Sequence, residues 1–134
     1  MLLRIFIAAT LLIASLQLAH AQTRDQLVAK YSSLAGSEDN ARTLVNGLRD
    51  GADFTLDGTV FRTPAGKMRN GEVHIALSIA QKQLRKAKPT ARELQAALIG
   101  TPGKPGVLML RAAHKGWGDI ADACGLKLAE VARP

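Results

Sequence analysis

Cysteine and aromatic residues are scarce in this 134-residue sequence, which has one Cys, three Phe, one Tyr and one Trp. A single cysteine, Cys124, excludes a disulfide within the chain. The fold must therefore be held by its hydrophobic core. Cys124 lies in the largely apolar run of residues 120–124, which favours a small buried hydrophobic role. A reactive thiol or a bridge to another chain is the alternative.

Histidine is also rare, and metal-binding or cofactor-binding motifs are missing. Beyond residue 21 only His74 and His114 remain, and neither lies in a His-Glu-x-x-His or Cys-x-x-Cys context. Residues 100–104 contain glycine and lysine, but they lack the spacing of a phosphate-binding loop. The sequence therefore predicts no cofactor, no metal site and no catalytic residue.

Long apolar runs are missing except at residues 5–16, which follow Arg4. Ala19, His20 and Ala21 then supply the small-x-small pattern that a signal peptidase accepts. The run is shorter than the roughly 20 residues that a membrane span needs, which disfavours an uncleaved anchor. We expect a signal peptide at residues 1–21, cleavage after Ala21, and a periplasmic or secreted product.

We expect the remaining chain, residues 22–134, to form one small helical domain. In this part of the chain, basic residues outnumber acidic ones. The leader contains Arg4 and no acid, so seventeen Lys and Arg face eleven Asp and Glu, a net charge of about +6. Such a balance favours an acidic partner in the cell envelope, either a protein, a glycan or an anionic lipid surface. Nucleic acid is disfavoured by the predicted export.

Helix signals dominate the first part of this domain. Thr23 and Gln26 form a capping box for a helix that ends at Gly36. Ser37 caps a second helix that ends at Gly51. Together they predict a helical hairpin.

Residues 53–62 change to strand periodicity around a central Asp57-Gly58 pair, which suits a two-residue hairpin turn. In that register Phe54 faces Phe61, Leu56 joins the same face, and Asp53 lies opposite Arg62. An isolated hairpin is marginally stable, so its aromatic face must pack on the helices.

The second half alternates loops and helices. Residues 63–71 form a loop, and a central helix with an apolar stripe from Val73 to Ala87 follows, with His74 on its solvated side. Thr90 and Glu93 form another capping box for a helix that ends at Gly100. We expect a flexible connector at residues 101–106, helices at 107–115 and 119–124, and a last helix from about residue 128. The predicted fold is thus mainly α, a compact bundle of five to six short helices with one β-hairpin.

The C-terminal region has the spacing of a helix-turn-helix. The small residue Ala121 would let the two helices approach closely, and Gly125 would form the tight turn between them. The apolar side chain of Val131 would then pack back against the first helix. DNA recognition with Lys127 and Arg133 near phosphates is one interpretation. The second helix carries no Asn, Gln or Ser to contact bases, so a compact helical corner is the simpler one.

The candidate interaction surface combines the loop before the central helix with the basic side of that helix. Trp117, flanked by glycines, is either a binding anchor or a core residue. The predicted surface residues are Lys67, Met68, Arg69, Lys82, Arg85, Lys86, Lys88, His114 and Trp117.

Two stretches, residues 64–80 and residues 116–125, resemble segments of small uncharacterised secreted proteins of proteobacteria. They carry a Pro-x-Gly-x-Met pattern before an apolar helix and a Gly-Trp-Gly-x-Ile-Ala pattern near the C-terminus. Members of that family have a more glycine- and tyrosine-rich stretch where Arg69 and Asn70 stand here. The resemblance implies export and a compact helical domain, and it transfers no catalytic residue.

These observations predict an exported binding protein with a basic face. Two alternatives stay open. One is a helix-turn-helix DNA-binding protein, which requires that residues 1–21 are not an export signal. The other is a small enzyme built on Cys124 and a histidine.

Overall fold

The computed structural model describes residues 22–134, and the predicted signal peptide lies outside them. These residues form, in order, α1 (Arg24–Lys30), α2 (Ser32–Ala35), α3 (Glu38–Asp50), β1 (Phe54–Leu56), β2 (Thr59–Phe61), α4 (Asn70–Leu84), α5 (Ala91–Leu98), β3 (Gly100–Thr101), β4 (Lys104–Pro105), α6 (Val107–Ala112), α7 (Trp117–Ala123) and α8 (Leu128–Val131). The predicted mainly helical fold is confirmed. None of the helices in residues 22–134 combines the length and the apolar composition that crossing a bilayer needs.

The first predicted helix divides at Tyr31, which is one reason why residues 22–134 hold eight helices. Its capping box is confirmed, since the Gln26 N–H donates to Thr23 Oγ1 (3.1 Å) and the Thr23 N–H donates to Gln26 Oε1 (2.8 Å). Tyr31, with φ −104° and ψ 15°, ends α1 and carries its side chain into the core. Helix α2 then ends at Gly36 in the left-handed conformation (φ 102°).

The β1–β2 hairpin has the predicted register. Phe54 pairs with Phe61 and Leu56 with Thr59, and the two Phe rings stack with centroids 4.8 Å apart. Asp57 (φ 48°) and Gly58 (φ 78°) form the turn, both with positive φ. The predicted Asp53–Arg62 pair is absent from the ion pairs of residues 22–134, and Asp53 Oδ1 accepts a hydrogen bond from the Thr63 N–H.

Helix α4 is the central element. It packs against α1, α3, α5, α6 and α8, and its buried residues are Val73, His74, Ala76, Leu77, Ser78, Ile79 and Ala80. The helix ends at Leu84, and Arg85 adopts the left-handed conformation (φ 53°). Ala87, which we predicted on its apolar stripe, therefore lies beyond the helix and is exposed.

The expected flexible connector at residues 101–106 is in part a second antiparallel hairpin. Strands β3 and β4 pair Gly100 with Pro105 and Thr101 with Lys104. Glycines at 100 and 106 permit the close approach, since a Cβ on either would lie 2.5 Å from backbone atoms of the other. A two-residue strand is too short to produce a periodic sequence pattern, so this hairpin could not be predicted from periodicity.

The predicted helix-turn-helix-like corner is present. Ala121 and Val131 are fully buried, and Gly125 takes the left-handed conformation (φ 73°) in the turn between α7 and α8. The second helix of the corner, α8, has only four residues. The corner closes the core at the end of the chain.

Candidate functional site

The predicted interaction surface divides between the two ends of α4. Lys67, Met68 and Arg69 precede the helix, whereas Lys82 lies in its last turn and Arg85 caps it. At 1.5 Å per residue the two groups are about 20 Å apart. Each end lines its own cleft, so the residues do not form a single surface.

The C-terminal end of α4 borders a groove of about 660 Å³. Its walls come from α4, α5, the β3–β4 hairpin, the start of α6 and the turn after α7. Lys82, Arg85 and Lys104 supply the positive charge, and we call this cleft the basic groove. Its apolar lining consists of Leu84, Ala96, Ala97, Pro105, Val107 and Leu126.

The positive charge in the basic groove is not neutralised by nearby acids. Lys82, Arg85 and Lys104 are exposed, and none of them takes part in an ion pair within residues 22–134. The single acid of the lining, Glu93, binds Lys86. Hydrogen bonds from Lys86 and from the Thr90 N–H lower the pKa of the Glu93 carboxyl, so it stays ionised and paired. Three cations are left facing an open cleft.

The sequence prediction found two of these three cations. Lys104 was missed because its segment was interpreted as a flexible connector, whereas the β3–β4 hairpin places it in the groove wall. Lys86 follows Arg85 in the sequence and forms an ion pair with Glu93. Lys88 is exposed and does not line the groove.

Cys124 is half-buried, packs against the core and lines the basic groove. Burial raises the pKa of its thiol, and the charge of Lys104 offsets part of that effect. A protonated thiol is a weak nucleophile at neutral pH. Among the described residues that line the groove there is no histidine to act as its base.

His74 corrects a sequence prediction, since it is only 2% exposed and not on a solvated side. The Tyr31 hydroxyl lies 2.7 Å from His74 Nδ1, and Nε2 contacts the carbonyl oxygen of Arg133. A carbonyl can only accept, so Nε2 carries the proton and Nδ1 of the neutral ring accepts from Tyr31. The partner comes from 43 residues away, which explains why the helix pattern alone could not find it.

Burial lowers the pKa of the His74 imidazole, and the nearby charge of Lys30 acts in the same direction. The bond to the Arg133 carbonyl partly opposes these effects. His74 therefore acts as a neutral hydrogen-bonding residue that ties α1, α4 and the C-terminal segment together.

The N-terminal end of α4 holds a second cluster. Glu72 Oε2 accepts from Arg111 Nη2 at 3.2 Å and from Trp117 Nε1 at 3.4 Å, while Oε1 accepts from the Arg69 N–H at 3.3 Å. Arg111 also lies over the Trp117 ring, 4.9 Å from its centroid, and donates to the Lys115 carbonyl. Glu72 was missed by the sequence analysis. Its position three residues after the helix N-cap was the only available signal.

This cluster joins the two stretches that carry the family resemblance, since Glu72 belongs to the first and Trp117 to the second. Trp117 is half-buried at the start of α7 and packs against the core, which agrees with the predicted core role. The binding role stays a prediction. The side chains of Glu72 and Arg111 form hydrogen bonds with each other and with neighbouring residues of this chain. Their arrangement fastens α4, α6 and α7 to one another.

A cleft of about 460 Å³, here called the loop cleft, adjoins this cluster and is lined by Lys67, Arg111 and His114 among others. Met68, predicted on the interaction surface, is only 6% exposed and belongs to the core. Its backbone N–H donates to the Arg49 carbonyl, which holds the loop against α3. Within residues 22–134 no three metal-ligating side chains cluster together.

No protein-family model, no curated protein and no solved structure matches this chain. The resemblance to small secreted proteins stays a prediction from the sequence.

Proposed function

We propose that this chain is an exported protein that binds an anionic partner in the cell envelope through the basic groove. The observation that carries the proposal is a set of three cations, Lys82, Arg85 and Lys104, which form no ion pair within residues 22–134 and lie in the wall of one concave cleft. A concave site with convergent charged groups is the usual form of a binding site. Export is supported by the composition of residues 1–21.

Binding is favoured over catalysis because the described lining of the groove holds no activated nucleophile. The thiol pKa of Cys124 is raised rather than lowered, and the two histidines of the described chain contact other regions. DNA recognition is disfavoured by the length of α8, since four residues make about one turn. A recognition helix must present several side chains along the major groove.

The proposal predicts salt-sensitive binding to anionic probes. The purified chain from residue 22 onward is titrated with polyglutamate, a sulfated polysaccharide and vesicles of anionic phospholipid, each at low and high salt. At least one probe should bind, and its affinity should fall at high salt because exposed charges are screened. Replacing two cations, Lys82→Ala with Arg85→Asn, should weaken binding about tenfold, as expected for the loss of two exposed charge contacts.

The matched control removes two exposed cations outside the groove, Lys88→Ala with Lys115→Ala, and leaves the same net charge. Asparagine is chosen at position 85 because it tolerates the left-handed backbone found there. Equal losses in the two double variants would mean that net charge, and not the groove, attracts the probes. Affinities that do not change with salt would contradict the proposal itself.

A further inference from the structure

The lining of the basic groove constrains its ligand beyond negative charge. Apolar side chains of α4, α5, α6 and the α7–α8 turn line the same cleft as the three cations. A ligand gains from such walls only if it removes apolar surface from water as well as supplying negative charge. The groove therefore suits an amphipathic anion.

The shape of the site disfavours a membrane surface. A protein contacts a bilayer surface through protruding side chains, or through the apolar face of an amphipathic helix that lies in the plane of the bilayer. Here the charges and the apolar residues line a recess, and a bilayer cannot enter a recess of about 660 Å³. A flexible chain or a small molecule can.

The composition of the lining disfavours polysaccharides and single-stranded nucleic acid. Among residues 22–134 no aromatic side chain lines the groove, so this part of the chain offers no platform on which bases could stack. A sulfated or uronate glycan presents charges and hydroxyl groups, which leaves the apolar part of the lining without a partner.

The distribution of the cations favours a peptide. Lys82 and Arg85 lie at the C-terminal end of α4, whereas Lys104 belongs to the β3–β4 hairpin on another wall of the groove. The hairpin edge adds little, because Pro105 of β4 has no N–H to donate. A peptide carries several carboxylates and apolar side chains along one extended chain, which matches cations and apolar residues that are spread over the walls of one cleft.

We infer that the partner of the basic groove is a short acidic peptide segment that also carries apolar side chains. This inference rests on the proposed function and names its ligand. Carboxylates of the peptide bind Lys82, Arg85 and Lys104, and its apolar side chains pack against the half-buried Leu84, Ala97 and Leu126.

The test compares three pools of dye-labelled peptides of equal length and random order. The first pool contains Asp, Glu, Leu and Val; the second replaces the acids with Asn and Gln; the third replaces Leu and Val with Ser and Thr. Fluorescence anisotropy should give affinity for the first pool at least about tenfold higher than for either of the others. The Lys82→Ala, Arg85→Asn variant should lose most of this preference, and the Lys88→Ala, Lys115→Ala variant should keep it.

Cys124 locates the bound peptide. It is the only cysteine of the chain, so a maleimide reagent modifies one site, and the Cys124→Ser variant should show no labelling. Because Cys124 lines the basic groove, the first pool should slow its modification severalfold, whereas the second pool should not. Unchanged labelling with bound peptide would place the peptide elsewhere and overturn the inference.

The outcomes separate the inference from the proposed function. If the sulfated polysaccharide or the vesicles bind more tightly than the first pool, and the groove variant abolishes that binding, the groove binds anions but the peptide assignment is wrong. If the third pool binds as well as the first, the apolar requirement is wrong. If no probe binds in a salt-sensitive and groove-dependent way, both proposals fail.

Discussion

At the scale of single residues, the buried pair of Tyr31 and His74 couples folding to pH. The neutral imidazole accepts from Tyr31 and donates to the Arg133 carbonyl, and burial lowers its pKa below the usual value of 6.5. As the pH falls below that value, the unfolded chain binds a proton at this position before the folded protein does. The contribution of His74 to stability is therefore complete above about pH 6.5 and is lost as the pH falls toward the folded-state pKa.

We predict that the free energy of unfolding decreases as the pH is lowered from about 7 to about 5.5, with a contribution from His74 of at most about 1.4 kcal/mol per pH unit. His74→Gln should remove that contribution, because glutamine does not titrate. Urea denaturation at a series of pH values measures the slope for each protein.

The control for this prediction is His114→Asn, which replaces an exposed histidine whose positive φ (65°) asparagine tolerates. A loss of slope in His74→Gln that this control does not reproduce assigns the pH dependence to His74. If His74→Gln retains the full pH dependence, His74 is not the group responsible.

At the scale of elements, the contact between α3 and the β1–β2 hairpin depends on the absence of a side chain at Gly47. A Cβ atom there would lie 2.2 Å from Cδ1 of Phe54, well inside contact distance. The Phe54 ring is buried and stacked on Phe61, so it has little room to move. Gly47 thus sets how closely the hairpin approaches the helix.

Gly47→Ala should destabilise the protein by about 1–3 kcal/mol through overpacking. This sign is opposite to the usual effect of the change in a helix interior, where alanine gains up to about 1 kcal/mol. Thermal or urea unfolding measures the difference.

The matched control is Gly71→Ala in the first turn of α4, where a Cβ would lie more than 4 Å from the other atoms of residues 22–134 that it could contact. That variant should be neutral or stabilised by up to about 1 kcal/mol. Two variants with the same sign and size would mean that helix propensity, not the Phe54 contact, governs position 47.

Elements with a local signal were predictable from the sequence. The capping boxes at Thr23 and Thr90 and the Asp57-Gly58 turn depend on neighbours within a few residues, and each is present as expected. The β3–β4 hairpin is local as well, but its two-residue strands are too short to leave a periodic pattern. Helix α4 ends at Arg85 in the left-handed conformation, and no glycine marks that position in the sequence.

The same distinction applies to the site. Lys82 and Arg85 were identified because the sequence pattern assigned both to the polar side of a recognisable helix, although Arg85 lies just beyond its end. Lys104 and Cys124 reach the basic groove only through the folding of the hairpin and of the α7–α8 turn. Met68 and His74 were placed in solvent by their local sequence, and tertiary contacts bury both.

At the scale of the whole molecule, the predicted leader and the basic domain belong to one hypothesis about location. We predict that the natural product begins at Gln22 and is found in the periplasm or the medium. N-terminal sequencing after cell fractionation checks both. Replacing Ala19 and Ala21 together with large residues should block cleavage and leave the precursor at the inner membrane.

A product that begins at Met1 and stays in the cytoplasm would contradict this hypothesis. The basic groove would then meet a different set of anions, nucleic acid among them, and the case for an envelope partner would be lost.

Helix α4 keeps the basic groove and the loop cleft about 20 Å apart on one rigid element. Substitutions at sites this far apart, with no shared partner, contribute independently to stability. The two clefts can therefore be modified separately. A dye, tether or surface anchor attached at Lys67, in the loop cleft, leaves the basic groove open to its ligand.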